Sequence, residues 1–134
     1  MTHGVPLAQL SPAGLAFVAE RHLGTFASVR PDGTLHVTPV GFTWDPEQAL
    51  ARVITSGSSR KARNAVLGGP VAICQVDGRR WLTMEGTPSV RCDPDAVAAA
   101  VLRYAQRYRT PRVNPARVAI EVRVTRLLGS AEFL

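Results

Sequence analysis

Ten consecutive residues, Thr55-Ser56-Gly57-Ser58-Ser59-Arg60-Lys61-Ala62-Arg63-Asn64, gather the side chains best suited to binding chemistry. They follow a strand-like run from Ala49 and open a short helix-like run ending at Leu67. Hydroxyls, a flexible glycine and the first amides of a helix therefore converge at one point. Such a point suits an anion, because unpaired N–H groups and the positive end of a helix dipole meet there and a Ser/Gly turn adds a nest of donors. Arg60, Lys61 and Arg63 stand where a first helical turn ordinarily favours acids, at a cost of roughly 0.3–1 kcal/mol each. A bound phosphate would reverse the sign of that cost. The alternative is a solvated basic turn.

The elements that must position this turn follow from local patterns. Ser11-Pro12 is an N-cap with proline at the first helical position, and Leu15, Val18, Ala19 and His22 recur at helical spacing up to Leu23-Gly24. Residues 1–10 show no period and are expected to form an arm. Thr25–Val29 and Thr34–Phe42 read as strands joined by the Arg30-Pro31-Asp32-Gly33 turn, and Pro39 marks the second as an edge or bulge where backbone can approach a ligand. Thr38, Val40 and Gly41 are thus candidates to line a flat pocket, unless this is simply a kinked corner. Ala49–Thr55 is the third strand, Val71–Val76 the fourth and Trp81–Val90 the fifth, the last two joined at Asp77-Gly78. In the fifth, Trp81, Thr83, Glu85 and Thr87 share one face and Leu82, Met84 and Gly86 the other, a pattern suited to cover on both sides, as by a second copy of the chain. Asp93 caps a helix reaching Tyr108, with Val97, Val101, Leu102 and Ala105 as its apolar stripe. Its basic and tyrosine-rich end either complements the helix dipole or grips a carboxylated or planar molecule. Arg117–Thr125 alternates, with Val118, Ile120, Val122 and Val124 inward.

Six strands with antiparallel-style turns and three helices predict an α+β domain on a small barrel, spanning residues 1–134 as one unit. A barrel that small has little interior, so a sizeable ligand must lie in a groove outside it. The net charge of +6 points to an acidic partner. The chain has no apolar run near the roughly 20 residues of a membrane span and no signal-peptide layout, which predicts a cytoplasmic protein without a membrane partner. Cys74 and Cys92 lack ligand spacing and read as reduced, packed thiols, so no metal site is expected. No Ser/His/Asp set, HExxH, Walker loop or GxGxxG is present. The sequence offers no catalytic nucleophile or base, which favours chemistry carried by a bound cofactor.

The order of Pro39-Val40-Gly41-Phe42, Ser58-Ser59-Arg60-Lys61-Ala62-Arg63-Asn64, Gln75-Val76-Asp77-Gly78 and Trp81-Leu82-Thr83-Met84-Glu85-Gly86 resembles the flavin/deazaflavin oxidoreductases. These are the pyridoxamine 5′-phosphate oxidase-like, FMN-binding split β-barrels, and the similarity runs from about Ser11 to Gly129. With Leu102–Pro111 included, the chain is most similar to the actinobacterial group that uses coenzyme F420, in particular the biliverdin reductases. The resemblance implies a six-stranded, mainly antiparallel split barrel, a homodimer, and reduced coenzyme F420 or, alternatively, FMN in each inter-subunit groove. It places Thr55, Ser56, Ser58, Ser59, Arg60 and Lys61 at the cofactor phosphate with Asn64 supporting the turn. It places Thr38, Pro39, Val40 and Gly41 against the ring, and Gln75, Arg80 and Trp81 as approaching from the other subunit. Hydride transfer to a conjugated substrate such as biliverdin is implied, with Arg30, Arg79, Arg80 or Arg109 pairing with its propionates. Ser59 stands where flavin-using relatives commonly have Arg, and the longer C-terminal segment of pyridoxamine phosphate oxidase is missing, which argues against that activity. A nucleic-acid-binding module is the remaining alternative. It would need an exposed aromatic platform from Trp44, Trp81 and the tyrosines, whose spacing suggests none, so no nucleic-acid partner is expected.

Overall fold

A computed structural model describes residues 7–134, and the arm expected over residues 1–10 lies outside them for its first six positions. Leu10 already belongs to the core, and the Ser11 N–H donates to the Phe133 carbonyl at 2.9 Å, tying the two ends of the described chain together.

The elements run α1 (Pro12–Ala19), β1 (Gly24–Val29), β2 (Leu35–Val40), β3 (Thr43–Asp45), β4 (Leu50–Ser56), α2 (Arg60–Val66), β5 (Val71–Asp77), β6 (Arg80–Arg91), α3 (Pro94–Arg107) and β7 (Arg117–Gly129), followed by a 3-10 turn at Ala131–Phe133. The expected α+β class with three α-helices holds, but the sheet has seven strands rather than six, in the order β2-β1-β5-β6-β7-β4-β3. All pairings are antiparallel. The additional strand is β3, three residues long and buried throughout, which is too short to show a period. Asp45 at its end accepts the Glu47 and Gln48 N–H groups and pairs with Arg52 at 2.9 Å, so one carboxylate shapes the turn into β4.

The first helix stops at Ala19, short of the predicted Leu23-Gly24, where Glu20 turns extended at ψ 146°, and Arg107 satisfies the Glu20 and His22 carbonyls that follow. Leu82, Met84 and Gly86 turn inward as expected, as do Val118, Ile120, Val122 and Val124. They join Phe17, Phe26, Phe42 and Ile73 in one core. β7 runs four residues past Thr125 because it continues its pairing with β6 across a bulge between Glu85 and Gly86. A Cβ at Gly86 would lie 1.9 Å from the Arg123 carbonyl oxygen, so only glycine fits there. On α3 the half-buried Val97, Val101 and Ala105 share the covered side with the buried Ala100 and with Tyr104, whereas Leu102, expected in the same stripe, is 60% exposed. α3 packs on β4 and β7, and this sets its C-terminal turn beside the end of β2. Cys74 is half-buried and Cys92 is exposed rather than packed.

Candidate functional site

The ends of β2 and β4, the start of α2 and the last turns of α3 meet around a cavity of about 350 Å3. Pro39, Val40, Gly41, Thr55, Ser56 and Lys61, all expected from the sequence, line it. Tyr104, from the tyrosine-rich helix end, completes the wall together with Ile54, Pro111, Asn114 and Arg117, which the sequence does not single out as site residues.

Local hydrogen bonds explain how the serine-rich bend holds its shape. Thr55 Oγ1 donates to Ser59 Oγ at 3.0 Å, and Ser59 Oγ accepts the Ala62 N–H at 3.2 Å, the N-cap that starts α2. The Gly57 N–H donates to the Ala116 carbonyl at 2.9 Å, and Asn114 Nδ2 donates to Ser56 Oγ at 2.9 Å, so the loop before β7 is stitched to the bend. Asn64 supports α2 from behind: its Nδ2 donates to the buried Ser28 Oγ at 3.0 Å, while its Oδ1 is buried without a protein partner. Thr38 is half-buried beside Pro39, Arg60 is half-buried at the head of α2, and Ser58 is exposed. None of these three reaches the cavity lining.

Electrostatically the cavity is one-sided, since no Asp or Glu lines it. Burial holds the Lys61 ammonium below its ordinary pKa, because removing water penalises the charged form. An anion at this position would offset the penalty. α2 has only seven residues, so its dipole contributes little, and Lys61 rather than the helix end carries the anion reading. His36 on β2 is also half-buried, with Nδ1 unpartnered. Burial first, then the charges of Arg30, Lys61 and Arg60, keep its pKa below the usual histidine value. The ion pairs lie elsewhere: Arg80 with Glu20 and Asp77, Arg52 with Asp45 and Glu121, and Arg91 with Asp93.

The floor of the cavity depends on the absence of a side chain. A Cβ on Gly41 would lie 2.7 Å from Tyr104 Cε2 and 3.0 Å from Tyr108 Cε2. Tyr108 is pinned there, donating to the His22 carbonyl at 2.6 Å and accepting the Phe42 N–H at 3.2 Å. Arg107 stacks on Phe42 and Tyr108 and donates to the Glu20, His22 and Phe42 carbonyls and to Gln75 Oε1. It is therefore a structural pin and not a hand free to grip a ligand.

Several expected site residues are placed otherwise. Gln75 is corrected: it is 1% exposed, with Nε2 donating to the Phe17 carbonyl at 2.8 Å and Oε1 accepting from Arg107 at 2.7 Å, so its amide is used up inside the fold. Arg80 grips Glu20 at 2.8 and 2.9 Å, bonds Asp77 and covers the Phe17 ring. That arginine already occupies the carboxylates of the Glu20, His22 and Asp77 group, a cluster with metal-ligand atom types. Trp81 is 41% exposed on the outer sheet face, away from the cavity lining. Arg30 bonds Thr34 Oγ1 and the Leu35 carbonyl in its own turn, and Arg79 is exposed beyond β5. Arg109 alone of these arginines comes near, lining a second cavity that shares Tyr104, Pro111, Asn114 and Arg117 with the first. Trp44 is buried, and Tyr104 and Tyr108 pack on Gly41, so these aromatics form no exposed platform for bases.

Over residues 10–130 the chain matches the pyridoxamine 5′-phosphate oxidase family, and it belongs to that family. It is 56% identical over 126 residues to an F420H(2)-dependent biliverdin reductase of Mycobacterium tuberculosis (strain CDC 1551 / Oshkosh), covering 94% of this chain and 92% of that protein. Among solved structures it is similar to an F420 reductase, with 29% identity, a TM-score of 0.70, and coverage of 92% of this chain and 98% of the other. A conserved hypothetical protein of Mycobacterium tuberculosis shares the fold, at a TM-score of 0.76 and 21% identity over 96% of this chain and 89% of its own. No helix among the described residues is long and apolar enough to cross a membrane.

Proposed function

We propose that the chain is a reductase that takes a hydride from reduced coenzyme F420 and delivers it to a conjugated substrate, with biliverdin, reduced to bilirubin, as the substrate of choice. One observation carries this reading: a desolvated Lys61 shares a carboxylate-free cavity with the Pro39-Val40-Gly41 wall, in a chain 56% identical to a reductase of that name. The residues present suit the cofactor. Gly41 lets Tyr104 and Tyr108 pack directly against the Pro39-Val40-Gly41 backbone, so a flat ring in the cavity meets backbone and the Tyr104 ring side by side. Lys61 and the Ser56 hydroxyl supply donors for a phosphate, the Thr55–Ser59 hydrogen bond fixes the bend beside them, and Arg60 adds charge at the head of α2. When bound, the reduced deazaflavin supplies the hydride from its C5 carbon. Tyr104 and Tyr108 back the wall and restrict the planes available to both rings. Holding two reactants in register contributes several kcal/mol toward the barrier.

A homodimer is part of the same reading. The register of β2, β1, β5 and β6 puts Leu35, Val37, Val76 and Trp81 on one outer face, each at least 41% exposed. Pro39 belongs to that face and also lines the ring cavity, so a second copy seated there would close the cavity and bring Trp81 toward it. Each chain is then one split-barrel domain of the pair, and its setting is cytoplasmic.

The test is anaerobic turnover. Purified protein with reduced F420 and biliverdin should show loss of biliverdin absorbance and gain of bilirubin absorbance, while menadione, NADP and an FMN-loaded control lag behind. A protein that purifies yellow with bound FMN and consumes oxygen would move the assignment to a flavin oxidase.

A further inference from the structure

Segment 109–117 forms a second cavity, about 500 Å3, beside the first. Arg109, Arg112 and Arg117 line it, again without an Asp or Glu. The loop that carries them is built rather than slack. Asn114 bridges it to the bend through Ser56 and accepts the Ala116 N–H at 3.0 Å, and the Arg117 N–H donates to the Asn114 carbonyl at 3.1 Å. Arg117 Nη2 also donates to the Arg112 carbonyl at 2.6 Å, and Pro111 and Pro115 remove two backbone donors and fix two φ angles. None of the ion pairs of the described residues includes these arginines. Three like charges on one short loop repel one another, so the arrangement lacks a counter-charge that the protein itself does not provide.

We propose that the Arg109, Arg112 and Arg117 chamber is a carboxylate-binding subsite opening into the ring cavity at Tyr104. This rests on the reductase reading given above and assigns that site its second anion. Planar guanidinium groups match carboxylates in two-point geometry, and several of them spread over an open trough suit carboxylates on flexible arms better than a single compact phosphate. Two ligands offer such groups: the substrate through its propionates, and the cofactor through the acidic end of its side chain. Tyr104 touches both cavities, so a molecule anchored in the chamber has its conjugated part directed past that ring toward Gly41.

The experiment compares wild type with Arg109→Gln, Arg112→Gln and the double variant, using Arg123→Gln on the exposed side of β7 as the charge-matched control. KM is measured for biliverdin and for its dimethyl ester at saturating reduced F420, and Kd for F420 by fluorescence titration. Each chamber substitution should raise KM for biliverdin about three- to tenfold with little change in kcat, while the ester, which has no carboxylate to lose, responds no more than with the control. A rise in the Kd for F420, with acid and ester affected alike, would support the subsite and assign it to the cofactor. If neither KM nor Kd moves beyond the control, the chamber is not a carboxylate subsite. If wild type does not turn over biliverdin, the reductase reading fails, and direct titration of F420 and biliverdin into the same variants still decides the chamber.

Discussion

Adding one methyl group at Gly41 tests the wall of the ring cavity with little chemical ambiguity. The new Cβ would stand 2.7 Å from Tyr104 Cε2 and 3.0 Å from Tyr108 Cε2, against an optimal carbon–carbon separation of roughly 3.5–4 Å. Something must move by about 1 Å. Tyr108 is held by hydrogen bonds of 2.6 and 3.2 Å and by the Arg107 guanidinium over its ring, so Tyr104 is the side chain that yields. Overpacking of this kind costs about 1–3 kcal/mol, which for a domain of this size lowers the melting temperature by roughly 4 °C per kcal/mol. Because Tyr104 lines the cavity and is the ring displaced, Gly41→Ala should also weaken F420 binding about tenfold or more, near 1.4 kcal/mol. Differential scanning fluorimetry and fluorescence titration read the two effects. In a Tyr104→Ala background the second substitution should cost less, with a coupling of order 0.5–3 kcal/mol. An unchanged melting temperature would refute the packing argument. A lowered one with F420 affinity within twofold of wild type would refute the claim that Gly41 faces the cofactor.

Val37→Asp, on the outer face where Val37 is 60% exposed, should turn a dimer into a monomer in sedimentation analysis and weaken F420 binding at the same time; a monomeric wild type would remove the basis for this. Asp45→Asn breaks a pair in which the aspartate is 2% and the arginine 8% exposed, and should cost on the order of 3 kcal/mol in urea unfolding. Burial pushes the Asp45 carboxyl up, but hydrogen bonds and charges from Arg52, Gln48 and Arg103 outweigh it and hold the pKa below the usual 3.8. The unfolded chain therefore takes up this proton first. The contribution is fully present above about pH 4 and is lost as pH falls through the depressed value, so wild type should lose stability more steeply than Asp45→Asn below about pH 4.

What could be read from sequence was what is local. The Ser/Arg/Lys bend, the proline-marked edge strand and the alternation of β7 each write their signal within a few residues, and each stands where the pattern puts it. β3 escaped because three buried residues carry no period. Tyr104, Asn114 and Arg117 lay within segments that had been read, yet their place in the site comes from α3 packing on the sheet and from one side-chain bridge across 58 positions. Gln75 and Arg80 show the same limit in reverse. Polar residues flanking a hairpin look available until the fold supplies Phe17, Glu20 and Arg107 as their partners. Leu102 fits a helical stripe on paper, but it is 60% exposed while Ala100 and Tyr104 take the side that meets the sheet.

The central claim is that a desolvated cation beside the serine-rich bend holds the negatively charged end of a redox cofactor. Calorimetric titration of coenzyme F420 into wild type and Lys61→Ala tests it most directly. Losing one charge-assisted contact with a phosphate in a partly desolvated cavity should raise Kd about tenfold or more, with the melting temperature of the free protein unchanged or higher, because a half-buried cation disfavoured by desolvation is removed. Equal affinity in the two proteins, or no binding by wild type, would contradict it.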